Sequence, residues 1–276
     1  MRNWIASTLI TMAACTSGSS DAPKAEKSAG EPAASQPAAA EPEAEASKIT
    51  LSKLEGSKAY PDAKLTMKAP QADAKLPSGA PVAFAFGVEG YELAQQTEAP
   101  AAQALANSGK GQHIHAIVDN APYYAKYEPE FELEMEDGHH VVLAFLSRSY
   151  HESVKSGAAA VVGNLTVGEA KGEPADLSAP HLFYSRPKGT YVGDDTQRIL
   201  LDFYLVNTSL GPDGNKVRAT VNGQEFVISE WAPYVLEGLP MGELTVKLEL
   251  IDAEGKAVPG PFNTVTRKVM LKAAEG

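Results

Sequence analysis

The sequence predicts an all-β protein in which two tandem immunoglobulin-like β-sandwich modules follow a disordered N-terminal tether. Three observations lead to this prediction. Alternating apolar residues mark short strands, turn-forming Gly, Pro, Asn and Asp separate them, and no long stretch has helical periodicity. The strand pattern also recurs once along the chain. Seven or so strands in roughly 100 residues are typical of an immunoglobulin-like sandwich.

Residues 1–14 have the pattern of an export signal peptide. Arg2 supplies a positive charge, and the apolar run that follows is too short to span a bilayer. The run ends in Met12-Ala-Ala-Cys15, which resembles the lipobox of bacterial lipoproteins. The resemblance implies that Cys15 is lipidated and anchors the protein in the bacterial cell envelope, with the outer membrane as the expected location, on its periplasmic or surface side. The alternative is an ordinary cleaved signal with an incidental cysteine.

Residues 15–47 are predicted to be the lipidated, disordered tether. They consist mainly of Ala, Glu, Pro and Ser, a composition that buries too little apolar surface to offset chain entropy. The whole chain has a formal net charge of -11 and no basic run, which excludes a nucleic-acid partner. Because Cys15 is the only cysteine, the modules must be stabilised by packing.

An internal repeat organises the rest of the chain. The segment Leu65–Pro70 matches Leu182–Pro187 at a shift of 117 residues, and the shift falls to 103 further along. The first copy therefore holds 14 additional residues between its second and third strands, since 117 minus 103 is 14. We assign the first module to residues 48–172 and the second to residues 178–273.

Five of the six histidines lie in the first module. They are the candidate ligands for a copper or zinc ion, and they are His113, His115, His139, His140 and His151. In the repeat, His113 and His115 align with Lys216 and Arg218, so we expect both to face water. Imidazoles at i and i+2 on one strand face lie about 6 to 7 Å apart, close enough to share a metal ion. The alternative is a solvated polar face.

The histidine segment also resembles a known family. His113-Ile-His-Ala-Ile-Val-Asp119, Gly138-His-His140 and His151 are similar to the pattern of an uncharacterised His-rich domain of bacterial envelope proteins. The sequence departs from that pattern at Ile114, where the family has His, and at Arg148, where it has Asp. The family has no established activity, so the resemblance implies a module of this kind in the bacterial envelope and gives it no function.

Two further features bear on function. The insertion at Ala94–Gly111 leads into the histidine strand and is a candidate lid or contact surface, or else a tolerated surface insertion. A calcium site at Asp194, Asp195 and Asp202 is a weaker alternative, because the spacing matches no known calcium loop. The sequence has no GxSxG or HExxH motif and no phosphate-binding Gly loop, so we expect no catalytic activity.

Two functions follow as expectations. In the first, the protein is an envelope-anchored binding or interaction lipoprotein, attached to the membrane by its lipid and contacting an envelope protein or polymer. In the second, the first module is a periplasmic or surface metal-binding module that holds copper or zinc through the histidine cluster.

Overall fold

The computed structural model describes residues 48–103 and 105–274. The predicted signal peptide, the tether and Cys15 lie outside these residues. The described residues belong to one compact unit of the chain and are all-β, which confirms the predicted fold class of two tandem sandwiches. Among them, no helix has the length and apolar character needed to cross a membrane.

The described part of the chain is built from strands joined by turns and short 3-10 segments. The strands of the first half are β1 (Thr50–Lys53), β2 (Lys64–Ala69), β3 (Ala74–Leu76), β4 (Val82–Glu89), β5 (His113–Val118), β6 (Tyr124–Lys126), β7 (Glu130–Leu133), β8 (Gly138–Ser147) and β9 (Ala160–Val167). Those of the second half are β10 (His181–Arg186), β11 (Gly189–Val192), β12 (Arg198–Val206), β13 (Lys216–Val221), β14 (Gln224–Ile228), β15 (Tyr234–Glu237), β16 (Gly242–Ile251) and β17 (Thr264–Lys272). The 3-10 segments are Pro100–Gln103, Gly157–Ala159 and Gly193–Thr196.

The two sandwiches have the same topology, so the sequence repeat is also a structural one. In the first, a sheet of order β2-β4-β7 packs on a sheet of order β3-β9-β8-β5-β6. In the second, β10-β12-β15 corresponds to the smaller sheet and β11-β17-β16-β13-β14 to the larger. Each larger sheet begins with a parallel pair, β3 with β9 and β11 with β17, and is otherwise antiparallel.

Strand β1 departs from the predicted module boundary. The assignment of residues 48–172 to the first module places Thr50–Lys53 there, but β1 pairs antiparallel with β15 and so extends a sheet of the second sandwich. Leu54 continues this contact by donating its backbone N–H to the Pro233 carbonyl at 2.9 Å. Strand β1 therefore belongs to the second sandwich, where it is the edge strand beside β15, and the first sandwich begins after it.

Each sandwich has its own apolar core, formed by every second residue of its strands. The largest buried residues of the first core include Phe84, Phe86, Ile114, Leu146 and Leu165. Those of the second include Leu182, Tyr184, Ile199, Phe203 and Leu248.

A third cluster joins the outer faces of two sheets, one from each sandwich. It contains Ile117, Tyr123, Val141, Leu143, Phe145, Phe183, Tyr204 and Phe262. Strand β8 is therefore buried on both faces, as its continuous apolar run indicates. The repeat positions of Val141, Leu143 and Phe145 are Thr245, Lys247 and Glu249 on β16, where no such packing partner exists among the described residues.

The insertion at residues 94–111 also contacts the second sandwich. Ala101 and Leu105 are buried in a cluster with Leu200 of β12 and Val235 of β15. Of the two sequence interpretations, a contact surface agrees with this packing, since the insertion covers part of the second sandwich beside the loop that follows β8.

Candidate metal centre

Strand β5 places two histidines on the side that faces away from the core of the first sandwich. Ile114 and Ala116 point into that core, so the alternating side chains of His113 and His115 point outward, as the repeat predicted. The expectation that they face water is wrong, because both residues have 0% relative exposure. Strand β10 of the second sandwich covers them, and Ser185 lies within reach of His115.

The third histidine comes from the turn that follows β8. His151 adopts a left-handed backbone conformation with φ 71°, and its N–H donates to the Arg148 carbonyl at 2.9 Å. The turn is fixed by a buried ion pair between Arg148 Nη1 and Glu152 Oε1 at 3.0 Å. Its last residue, Ser153, is hydrogen-bonded to the carboxylate of Asp202 on β12.

The ring nitrogens of His113, His115 and His151 converge. His113 Nε2 lies 2.8 Å from His115 Nε2 and 3.1 Å from His151 Nδ1, and one ligand atom of each residue lies within 4.8 Å of the other two. Among the described residues this is the only group of three or more His, Cys, Asp or Glu side chains close enough to hold a metal ion. We call it the trihistidine centre.

Two of the three rings have a hydrogen-bond partner for the nitrogen that would face away from a metal ion. His113 Nδ1–H donates to the Gly111 carbonyl at 2.8 Å, which leaves the Nε2 lone pair free. His115 Nδ1 lies 3.3 Å from the Ser185 hydroxyl, an acceptor for its N–H when Nε2 binds an ion. Without an ion, His113 Nε2 lies within hydrogen-bonding distance of both other rings, and a bound ion would replace the proton that it shares with them.

Aromatic rings enclose the centre. Tyr123 stacks on His115 with ring centroids 3.5 Å apart, and its hydroxyl lies 3.3 Å from His151 Nδ1. Tyr127 packs against His113 at 5.1 Å, and its hydroxyl is hydrogen-bonded to Ser108 of the insertion at 2.7 Å. These rings cover His113 and His115, which are fully buried, whereas His151 is half-buried.

Burial keeps all three imidazoles neutral near pH 7. The pKa of His113 is lowered from 6.5 to about 4, by burial first and then by the positive charges of Arg186 and Lys188, against the hydrogen bond to the Gly111 carbonyl, which raises it. The pKa of His115 is held well below its usual value, and that of His151 is also lowered, by burial first and then by neighbouring positive groups. Neutral imidazole is the form that binds a metal ion.

The two other candidate ligands lie at the opposite end of β8. His139 is hydrogen-bonded to the Thr166 hydroxyl and the Gly172 carbonyl, and His140 lies 2.6 Å from the Asp119 carboxylate. Residues 140 and 147 are seven positions apart on β8, and Ser147 is the cross-strand partner of His113. At about 3.3 Å per residue the separation is roughly 23 Å, so the structure does not bring His139 and His140 to the trihistidine centre.

The weaker calcium alternative is also not assembled. Asp202 is fully buried and paired with Lys155, whereas Asp194 accepts a hydrogen bond from Gln197. No group formed by Asp194, Asp195 and Asp202 occurs among the metal-competent clusters of the described residues.

A polar groove lies beside the insertion. Lys58, Tyr60, Tyr91, Gln95 and Gln112 are among the residues that line it. Gln112 immediately precedes His113 and accepts a hydrogen bond from the Thr97 hydroxyl at 3.0 Å. None of the three histidines of the trihistidine centre lines this groove.

No family model matches this chain. No curated protein matches it either. Solved structures similar to it include the fibronectin(III)-like modules of Clostridium thermocellum CbhA, at 12% identity and a TM-score of 0.27 over 76% of this chain and 95% of that one. The central fibronectin-III array of RIM-binding protein is 14% identical, with a TM-score of 0.26 over 80% of this chain and 72% of that one.

A third similar structure is SGBP-B of the Bacteroides ovatus mixed-linkage glucan utilization locus, in complex with a mixed-linkage heptasaccharide. It is 12% identical, with a TM-score of 0.19 over 79% of this chain and 69% of that one. At these TM-scores the likenesses carry no argument about function. The predicted contact with an envelope protein or polymer stays a prediction.

The sequence analysis named the three histidines that converge, together with His139 and His140, but missed the residues around them. Ser185, Arg186 and Lys188 belong to the second sandwich, and only the docking of the two sandwiches brings them to β5. The apolar outer face of β8 is the sequence pattern that could have predicted this docking, because it indicates that another layer covers the sheet.

Proposed function

We propose that this protein is an envelope-anchored lipoprotein that binds a copper or zinc ion at the trihistidine centre. One observation carries the proposal, namely the convergence of three neutral imidazole nitrogens within 4.8 Å. Imidazole suits both copper and zinc, and three protein ligands are typical of sites that leave one position open.

The surrounding hydrogen bonds support binding by this set. Metal-bound histidines usually donate their other N–H to a carbonyl, carboxylate or hydroxyl, which fixes ring orientation. The Gly111 carbonyl serves His113 in this way, and the Ser185 hydroxyl serves His115. The proposal assigns metal binding and no catalysis, in keeping with the absence of catalytic motifs in the sequence.

The anchoring part of the proposal rests on Met12-Ala-Ala-Cys15 and its resemblance to the lipobox. Lipidation would tie the metal centre to the envelope, where the tether would hold the sandwiches at the membrane surface.

Metal analysis tests the proposal directly. The full chain carrying Cys15→Ala, which removes the thiol as a competing ligand, should retain about one copper or zinc ion per molecule after dialysis. His151→Asn removes one ligand, and Asn tolerates the left-handed backbone at this position. His139→Asn is the matched control, because His139 lies at the opposite end of β8.

The expected result is loss of the ion in His151→Asn and retention in His139→Asn. An equal metal content in both variants, or no retained ion in the parent chain, would overturn the proposed function.

A further inference from the structure

We infer that the trihistidine centre selects the monovalent cuprous ion over divalent zinc and cupric ions. This inference rests on the proposed metal-binding function and names the ion that the same site takes. It follows from the charge of the ligands, the charge of the surroundings and the room for a fourth ligand.

The ligand set carries no negative charge. It consists of three imidazoles, and no carboxylate belongs to the group of ligand atoms. An ion held there keeps its full charge in a buried environment. Because the cost of burying an ion rises with the square of its charge, a divalent ion is penalised about four times as strongly as a monovalent one.

The surroundings add positive charge. Arg186 and Lys188 act electrostatically on His113, His115 and His151 alike. Arg186 is 8% exposed and donates to the Tyr191 hydroxyl at 2.9 Å, while Lys188 donates to the Tyr123 carbonyl at 2.7 Å. Neither cation takes part in any ion pair found among the described residues, so their charges are not neutralised nearby.

Lys188 lies on the far side of the ring that stacks on the centre. Its Nζ is 3.7 Å from the centroid of Tyr123, whose other neighbour is His115 at 3.5 Å. Burial and the charges of Arg186 and Arg267 lower the pKa of Lys188 to about 8, so the ammonium form still dominates at pH 7. Repulsion between this charge and a bound ion grows in proportion to the charge of the ion.

The coordination geometry favours the same ion. Zinc completes a three-histidine site with a fourth ligand, most often water. Here Tyr123, Tyr127 and Phe145 pack against the rings of the fully buried His113 and His115, and these contacts limit the room for a fourth ligand on that side. A cuprous ion is stable with three nitrogen ligands in a plane and needs no fourth one.

Competition titrations test the selectivity. The full chain carrying Cys15→Ala would be titrated anaerobically with Cu(I) against bicinchoninate, and separately with Zn(II) against a chromophoric zinc chelator. We expect Cu(I) to bind at least about 100-fold more tightly than Zn(II). Lys188→Met retains the aliphatic stem on Tyr123 and removes the charge. It should tighten Zn(II) binding about tenfold and Cu(I) binding only about threefold, because the repulsion scales with ionic charge.

The control is Lys268→Met, which removes an exposed lysine of the second sandwich and should change neither affinity. Zinc binding as tight as cuprous binding in the parent chain, or an equal effect of Lys188→Met on both ions, would overturn the selectivity while leaving the metal-binding function in place. Binding of neither ion would overturn both.

Discussion

The carboxylate of Asp202 on β12 accepts hydrogen bonds from the backbone N–H of Ser153 at 3.2 Å and from its hydroxyl at 3.1 Å. Asp202 belongs to the second sandwich, and Ser153 ends the turn that carries His151 of the first. The buried carboxylate also pairs with Lys155. One residue of the second sandwich thus fixes the turn that brings His151 to the trihistidine centre.

We expect Asp202→Ala to destabilise the protein by about 3 kcal/mol, because it leaves Lys155 without its partner in a largely buried position. It should also weaken metal binding, since the turn at His151 loses its attachment. Urea unfolding and metal titration measure the two effects. The matched control is Glu243→Ala, which removes the exposed ion pair with Lys268 and should leave both quantities unchanged. An equal loss in the two variants would contradict the role given to Asp202.

A second prediction exchanges residues between equivalent positions of the two sandwiches. Replacing His113 by Lys and His115 by Arg would bury two positive charges beside Arg186 and Lys188, and we expect a loss of at least about 3 kcal/mol. The reverse exchange, Lys216→His with Arg218→His, alters a half-exposed sheet face, where Glu249 keeps its ion pair with Lys247, and should cost about 1 kcal/mol or less. Urea unfolding of both double variants checks the difference. A neutral effect of the first exchange would show that β5 is not covered.

Strands β5 and β13 show which features of the centre the sequence predicted and which it did not. The repeat correctly predicted that His113 and His115 point away from the core of their own sandwich. It did not predict their burial, because the equivalent face of the second sandwich carries Arg218 and Glu249, which form a partly buried ion pair at 3.1 Å that no second sheet covers among the described residues. In the first sandwich the position of Glu249 is occupied by Phe145, which is fully buried.

The remaining parts of the centre depend on tertiary contacts that no local pattern reveals. His151 stands on an irregular turn, and its direction is set by Arg148, Glu152 and Asp202 rather than by strand periodicity. The pairing of β1 with β15 likewise joins residues far apart in the chain. Strand periodicity fixes which face a side chain occupies, whereas the packing of one sandwich on the other decides what that face meets.

The third prediction concerns the proposed anchor. Cys15→Ala should move the protein from the membrane fraction to the soluble fraction, because acyl chains contribute about 0.8 kcal/mol per buried methylene and no other anchor is proposed. Fractionation followed by immunoblotting measures the shift, with Ser17→Ala as a control that leaves the lipobox intact. Membrane association of the Cys15→Ala variant at the parent level would contradict lipid anchoring.

The fourth prediction is that the metal-free protein loses stability as the pH falls. The pKa of His113 is about 4 in the folded protein and 6.5 is its ordinary value, so the unfolded chain takes up protons first on acidification. The contribution of His113 to the free energy of unfolding is therefore fully present above about pH 6.5 and declines as the pH approaches 4. His115 and His151 act in the same direction. Urea unfolding midpoints between pH 7 and pH 4.5, measured with a chelator present, would follow this decline.

Two variants separate the trihistidine centre from the other histidines in this titration. His113→Gln removes one group with a lowered pKa and should flatten the decline. The pKa of His140 shifts in the opposite direction. Burial acts to lower this pKa, but hydrogen bonds with Asp119 and the Glu136 carbonyl outweigh burial and raise it. Its contribution is present below its unfolded pKa and is lost as the pH rises through its folded pKa, so His140→Gln should make the decline steeper. Identical pH profiles for the two variants would contradict the prediction, because they would show that burial does not lower the pKa of the histidines in the trihistidine centre.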